Sequence, residues 1–93
     1  MKPHKRLEWD EAKRRSNLRR HGIDFADVVE AFASQPLTYM DDRFDYGERR
    51  FRTFSIFKGR VVAIAHTQNE DIVRLISARW ASRHEEIKYF KEI

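Results

Sequence analysis

Two runs of aromatic and β-branched residues, R-F-R-T-F-S-I-F from Arg50 to Phe57 and R-V-V-A-I-A-H-T from Arg60 to Thr67, are separated only by Lys58-Gly59. A two-residue turn with glycine between alternating runs predicts a β-hairpin. A polar break at Gln68 to Glu70 leads to a third run, I-V-R-L-I-S-A-R from Ile72 to Arg79, whose apolar groups on both faces predict a central strand. Leu37 to Met40, just after Pro36, predicts a shorter strand, and His4 to Glu8 a short edge strand.

Around these strands the spacing is helical. Asp10 reads as the N-cap of a helix reaching His21, with Gly22 in the left-handed position that ends it. Asp24 caps a second helix, in which Phe25, Val28, Val29 and Phe32 follow the spacing of one buried face and Ile23 staples onto Val28. Pro36 ends that segment. Ser82-Arg83-His84-Glu85 forms a capping box for a last helix, whose inward stripe is expected at Ile87 and Phe90. The expected fold class is α+β, one domain over residues 1–93, with two N-terminal helices, an antiparallel meander sheet and a C-terminal helix. Ninety-three residues leave no room for a second domain.

The lack of cysteine excludes disulfides, thiolate nucleophiles and iron–sulfur clusters, and suits a reducing compartment. No apolar run approaches the roughly 20 residues of a membrane span, and the first ten residues lack a signal-peptide core. A cytoplasmic protein without membrane contact is expected. The formal charge of +4 is unevenly spread: eight basic and three acidic residues in 1–20, three and seven in 21–50, eight and five in 51–93. Two basic ends around an acidic middle fit a polyanion-binding surface, although a net charge of this size is also ordinary for a soluble domain.

Trp9, Lys13, Asn17 and either Arg20 or His21 lie along one face of the first helix, either a row of phosphate-facing donors flanked by a stacking indole or a packed Trp9 with the rest solvated. The loop from Asp41 to Glu48 carries four carboxylates, but not in a calcium-loop pattern, and either a solvated turn or pairing with Arg49, Arg50 and Arg52 is the expected role. His4, His21 and His84 share no zinc-ligand spacing, so neither a metal nor another cofactor is expected. Alternation places Arg50 and Arg52 on one side of their strand, His66 with Val62 and Ile64 on one side of the next, and Ser77 with Arg79 on one side of the third. Arg74 falls opposite Arg79 unless a bulge intervenes. Guanidinium groups on a rigid sheet suit phosphate binding, and a histidine beside them could carry a proton. His66 could equally be a buried, hydrogen-bonded structural group. These are the parts of a metal-independent ribonuclease, in which the RNA 2′-hydroxyl is the nucleophile.

The strings E-W-D-E-A-K-R-R-S-N-L-R-R-H-G-I-D-F-A-D-V-V-E-A-F, D-D-R-F-D-Y-G-E-R-R-F and R-L-I-S-A-R-W-A-S-R-H-E resemble the BrnT family of type II toxins, from Glu8 to about Glu92. The resemblance implies a RelE-like fold, a ribonuclease that arrests translation, and a BrnA-type ribbon-helix-helix antitoxin through which the complex reaches promoter DNA. The matching positions include Trp9, Lys13, Asn17, His21, Arg43, Tyr46, Glu48, Arg50, His66, Arg74, Ser77, Arg79, Glu85 and Tyr89. The resemblance to RelE-like ribonucleases points to His66, Arg74, Arg79 and Tyr89 as the catalytic set; from the basic and aromatic residues themselves, Lys13, Arg50, Arg52, Trp80 and Arg83 are expected to contact RNA. Trp80 departs from the family, which often has Lys or Arg there, and is either a base-stacking platform or a core aromatic. The alternative is a non-catalytic module that binds nucleic acid or a partner protein through the same basic surface.

Overall fold

The computed structural model describes residues 6–93. The first residues of the expected edge strand, His4 and Lys5, lie outside the described residues; Arg6–Glu8 form β1. Then follow α1 (Glu11–His21), α2 (Phe25–Val28), a 3₁₀ helix (Val29–Ala33), β2 (Leu37–Asp41), β3 (Arg50–Phe57), β4 (Arg60–Gln68), β5 (Ile72–Trp80) and α3 (Arg83–Glu92). The strands form one sheet in the order β1-β5-β4-β3-β2.

β2 to β5 are the expected antiparallel meander. The sheet as a whole is mixed, which corrects the sequence reading: β1 adds to the outer side of β5 in parallel, Leu7 opposite Val73. The β3–β4 turn is as read, with positive φ at both Lys58 and Gly59 and Phe57 directly opposite Arg60.

The caps are also as read. The Asp10 carboxylate accepts from the Ala12 and Lys13 amides, Gly22 ends α1 at φ 72, and Asp24 accepts from Ala26. The second helix, however, is α-helical for only four residues before it tightens to 3₁₀. The Ala31 carbonyl in this turn and the Ser34 carbonyl just after it both meet the buried Ser55 hydroxyl of β3.

The sheet has apolar residues on both faces. Against one pack α1, α2 and the 3₁₀ helix, burying Ile23, Phe25, Val28 and Ala31 with Val62, Ile64, Val73, Leu75 and Ala78. Against the other lies α3, with Tyr89 packed among Phe54, Val61 and Ala63. The inward stripe of α3 was misplaced by sequence: Ile87 and Phe90 are 47% and 55% exposed, and the buried residue is Tyr89. Glu85, drawn inward by Arg79, fixes the rotation of the helix, and Tyr89 follows it by one turn.

Candidate active site

The decisive feature is a β-bulge. On β4, Ala63, Ala65 and Thr67 share one face by alternation, and their partners on β5 are Arg79, Ser77 and Arg74. His66 pairs with Leu75 and Ala65 with Ser77, so Ile76 is the extra residue that resets the alternation. Arg74 and Arg79 therefore share a face. It is the α3 face, because Ala63 packs there with Tyr89. On β3 the same face carries Arg52, opposite Ala65, and Arg50 two residues away. Arg50 in turn stands opposite Asp41 on β2. Four arginines from two strands thus project from one rigid surface.

Carboxylates hold three of them. Glu48 bridges two, accepting from Arg50 Nε at 3.2 Å and from Arg74 at 2.7 Å. Arg79 makes a two-pronged pair with Glu85, at 2.8 and 2.9 Å. Glu85 also accepts from the Ser82 amide, and with the Arg79 guanidinium foremost its carboxyl is held down at about 2. The same bonds raise the Arg79 pKa, against its own burial and the nearby charge of Arg43. Arg43 grips the buried Asp41 in a second two-pronged pair at 2.8 and 2.9 Å, which holds that carboxyl far below the usual range. The Tyr46 hydroxyl donates to the same carboxylate at 3.0 Å, and Arg50 lies over the Tyr46 ring, 4.3 Å from its centre. Arg52 differs. Its Nε is buried and has no hydrogen-bond partner.

His66 does not belong to this cluster. Pairing with Leu75 puts it on the opposite face of the sheet, where it is 0% exposed. Its Nε2 lies 2.7 Å from the Thr53 hydroxyl, which contacts Thr38 at 2.8 Å. Its ring stacks on Phe51 and meets the edge of Phe32. The expectation that His66 and the strand arginines face one phosphate is corrected: the sheet separates them. His66→Gln is expected to retain cleavage within a few-fold while lowering the thermal midpoint by several degrees, because the amide fills the site imperfectly. Cleavage kinetics beside a melting curve check this, and a hundredfold loss in a folded variant would return His66 to the site.

A family model described as ribonuclease toxin, BrnT, of type II toxin-antitoxin system matches residues 9–85. The chain belongs to the BrnT family. Among solved structures it is similar to the Brucella abortus ribonuclease toxin BrnT, with 29% sequence identity and a TM-score of 0.65, over 86% of this chain and all of that one. No curated protein matches it.

The other BrnT-pattern residues take different places. Tyr89 lies on the α3 face but is 2% exposed, and its hydroxyl donates to the Gln35 carbonyl at 2.8 Å; burial pushes its pKa up. Trp80 is half-buried on the helix-covered face, packed against the core and stacked on Phe57, with Arg60 over its ring. The stripe on α1 is a docking face at its centre: Asn17 is 1% exposed and Trp9 packs edge-on against Phe25. Lys13 stays exposed, near Arg20, His21 and Ser77, beside β5 rather than among the arginines. Arg83 is exposed in the first turn of α3. Tyr46, Glu48 and Glu85 match the family pattern but carry no site role from sequence alone; the capping box marks Glu85 as a helix cap, and its second partner, Arg79, is visible only in the fold. Among the described residues, no group of three or more His, Asp or Glu side chains is arranged to hold a metal ion.

The low pKa of Glu85 has a consequence for stability. A carboxylate depressed from the ordinary 4.5 to about 2 stabilises the fold above pH 4.5, and the contribution is lost as pH falls through 2. With Glu85 mostly buried and Arg79 40% exposed, the loss is expected to be on the order of 2 kcal/mol. The difference in urea unfolding between the parent and Glu85→Gln from pH 5 to pH 2 measures it, since Asp41 is depressed as well and contributes to the pH dependence of both proteins.

Proposed function

We propose that this chain is a metal-independent RNA endonuclease that inhibits translation in the cytoplasm and is neutralised by a BrnA-type antitoxin, whose complex with the toxin contacts promoter DNA. The observation that carries the catalytic part is the shared face of Arg50, Arg52, Arg74 and Arg79. In this reading a scissile phosphate displaces the carboxylates from Arg74 and Arg79. The RNA 2′-oxygen attacks phosphorus and the bond to the 5′-oxygen breaks, leaving a 2′,3′-cyclic phosphate and a 5′-hydroxyl. Glu48, beside Arg50 and Arg74, takes the 2′-hydroxyl proton, and the departing 5′-oxygen takes one from water. The guanidinium groups stabilise the doubly charged phosphorane, as fixed charges that need no reorganisation. Tyr89 acts as a positioning residue that seats α3, and Arg83 and Lys13 guide the flanking RNA backbone.

Purified protein incubated with RNA in excess EDTA is the test. The expected products carry 2′,3′-cyclic phosphate ends. Cleavage abolished by EDTA and restored by a divalent ion would overturn metal independence. RNA bound but never cut would leave a docking module. Coexpression with a ribbon-helix-helix protein encoded beside the toxin should abolish growth arrest, and unrelieved arrest would count against that partner.

A further inference from the structure

Between α3 and the β2–β3 edge lies a cleft of about 350 Å³, within the size range of small-ligand sites. Phe54 and Tyr89 form its floor, both nearly sealed from solvent. Tyr39, His84 and Lys88 stand around it, and Arg52 lines the wall nearest the arginine cluster. Its character is mixed: aromatic surface lies below, Arg52 stands 5.8 Å from the centre of the Phe54 ring, Lys88 is at the side, and Glu85, its carboxylate paired with Arg79, also lines the cleft. Lys88 lies 5.4 Å from the centre of the Tyr39 ring, so its charge is held at the rim rather than dispersed in solvent.

Two observations connect the cleft to the cluster. Arg52 and Arg50 are alternate residues of β3, on one face and about 7 Å apart, so an extended strand of RNA held at Arg50 and Arg74 reaches Arg52 within one nucleotide. Arg52 is also the arginine of that face with no carboxylate partner among the described residues, and its Nε is the one buried side-chain polar atom there without a hydrogen bond. The other three have acids in place of a phosphate. Arg52 has a cleft.

We propose that this cleft is a nucleobase subsite: the base next to the scissile phosphate leaves its stack, enters between Tyr39 and His84 above Phe54, and presents acceptor atoms to Arg52. The inference rests on the ribonuclease reading and adds to it the group that sets where the RNA is cut. Single-stranded RNA is recognised in this way, by unstacked bases on aromatic rings with guanidinium groups at their edges. Aromatic edges and rings accept any base, and Arg52 and Lys88 favour base edges rich in carbonyl oxygens.

The test is a scan of a cleavable RNA oligonucleotide with a single abasic nucleotide moved along it, using the full chain. Removing the base adjacent to the cut is expected to lower kcat/KM by about 5- to 150-fold, the loss of one stacked base, with little effect two or more positions away. Tyr39→Leu should cut intact RNA as slowly as the parent protein cuts the abasic strand, and should respond no further to the missing base. A flat scan, or losses from Tyr39→Leu and the abasic site that simply multiply, would overturn the subsite. The same strands with a 2′-deoxy nucleotide at the cut are titrated in parallel. If intact RNA is never cleaved, the ribonuclease reading fails, and equal affinity for the intact and abasic deoxy strands then overturns the subsite as well.

Discussion

Replacing Arg74 with alanine is expected to lower kcat/KM for RNA cleavage by about 10²- to 10³-fold, the loss typical of one preorganised donor to a developing oxyanion. The same change should move the thermal midpoint by a few degrees at most. Arg74 is 41% exposed and its partner Glu48 36%, and an ion pair of that kind contributes little to stability. The contrast with Arg79 makes the experiment informative. Arg79→Ala removes a donor of the same face but also strands Glu85, a mostly buried carboxylate, at a cost of roughly 1–3 kcal/mol. Both variants should lose cleavage, and only Arg79→Ala should also lose stability. Single-turnover kinetics beside thermal unfolding separate the two effects. If Arg74→Ala cuts RNA within threefold of the parent, Arg74 does not touch the phosphate.

The arginines themselves are legible in the sequence, and why the common face of Arg74 and Arg79 is not is a matter of a single residue. Alternation along I-V-R-L-I-S-A-R assigns Arg74 and Arg79 to opposite sides, and only the extra residue Ile76 reunites them. Nothing in the composition of that strand marks a bulge, because Ile76 is as good a strand residue as its neighbours. The same alternation placed His66 correctly with Val62 and Ile64. Which face met the arginines depended on the register between strands, and register is a long-range property. The caps at Asp10, Asp24 and Ser82 were legible because their hydrogen bonds close within three residues. The rotation of α3 was not, because Glu85 answers to Arg79 on another element, and that pull outweighs the apolar spacing of Ile87 and Phe90. The parallel addition of β1 was likewise hidden, since three residues carry too little pattern to fix a direction.

Asn17→Ala is expected to be the most destabilising single change outside the apolar core, by about 3–5 kcal/mol out of a total stability of about twice that for a domain of this size. The side chain replaces a missing strand. Among the described residues no strand pairs with β5 on its β1 side beyond Arg74, and there Asn17 Oδ1 accepts from the Ala78 amide at 3.0 Å while Nδ2 donates to the Ala78 carbonyl at 2.8 Å and to the Ile23 carbonyl at 3.0 Å. Truncation leaves one donor and two acceptors without partners, in a position only 1% exposed in the parent. Urea unfolding should show the loss as a lower midpoint with an unchanged slope, and a loss below 1 kcal/mol would mean that water replaces the amide. A second effect should follow at the site. Ala78 lies between Ser77 and Arg79, immediately after the bulge that brings the arginines together, so the Asn17 amide also fixes the strand that aims Arg79. Cleavage by Asn17→Ala, assayed where the variant is still folded, should therefore fall, although Asn17 is on the far side of the sheet from the phosphate. Full activity in the folded variant would show that the bulge holds its shape without the clamp.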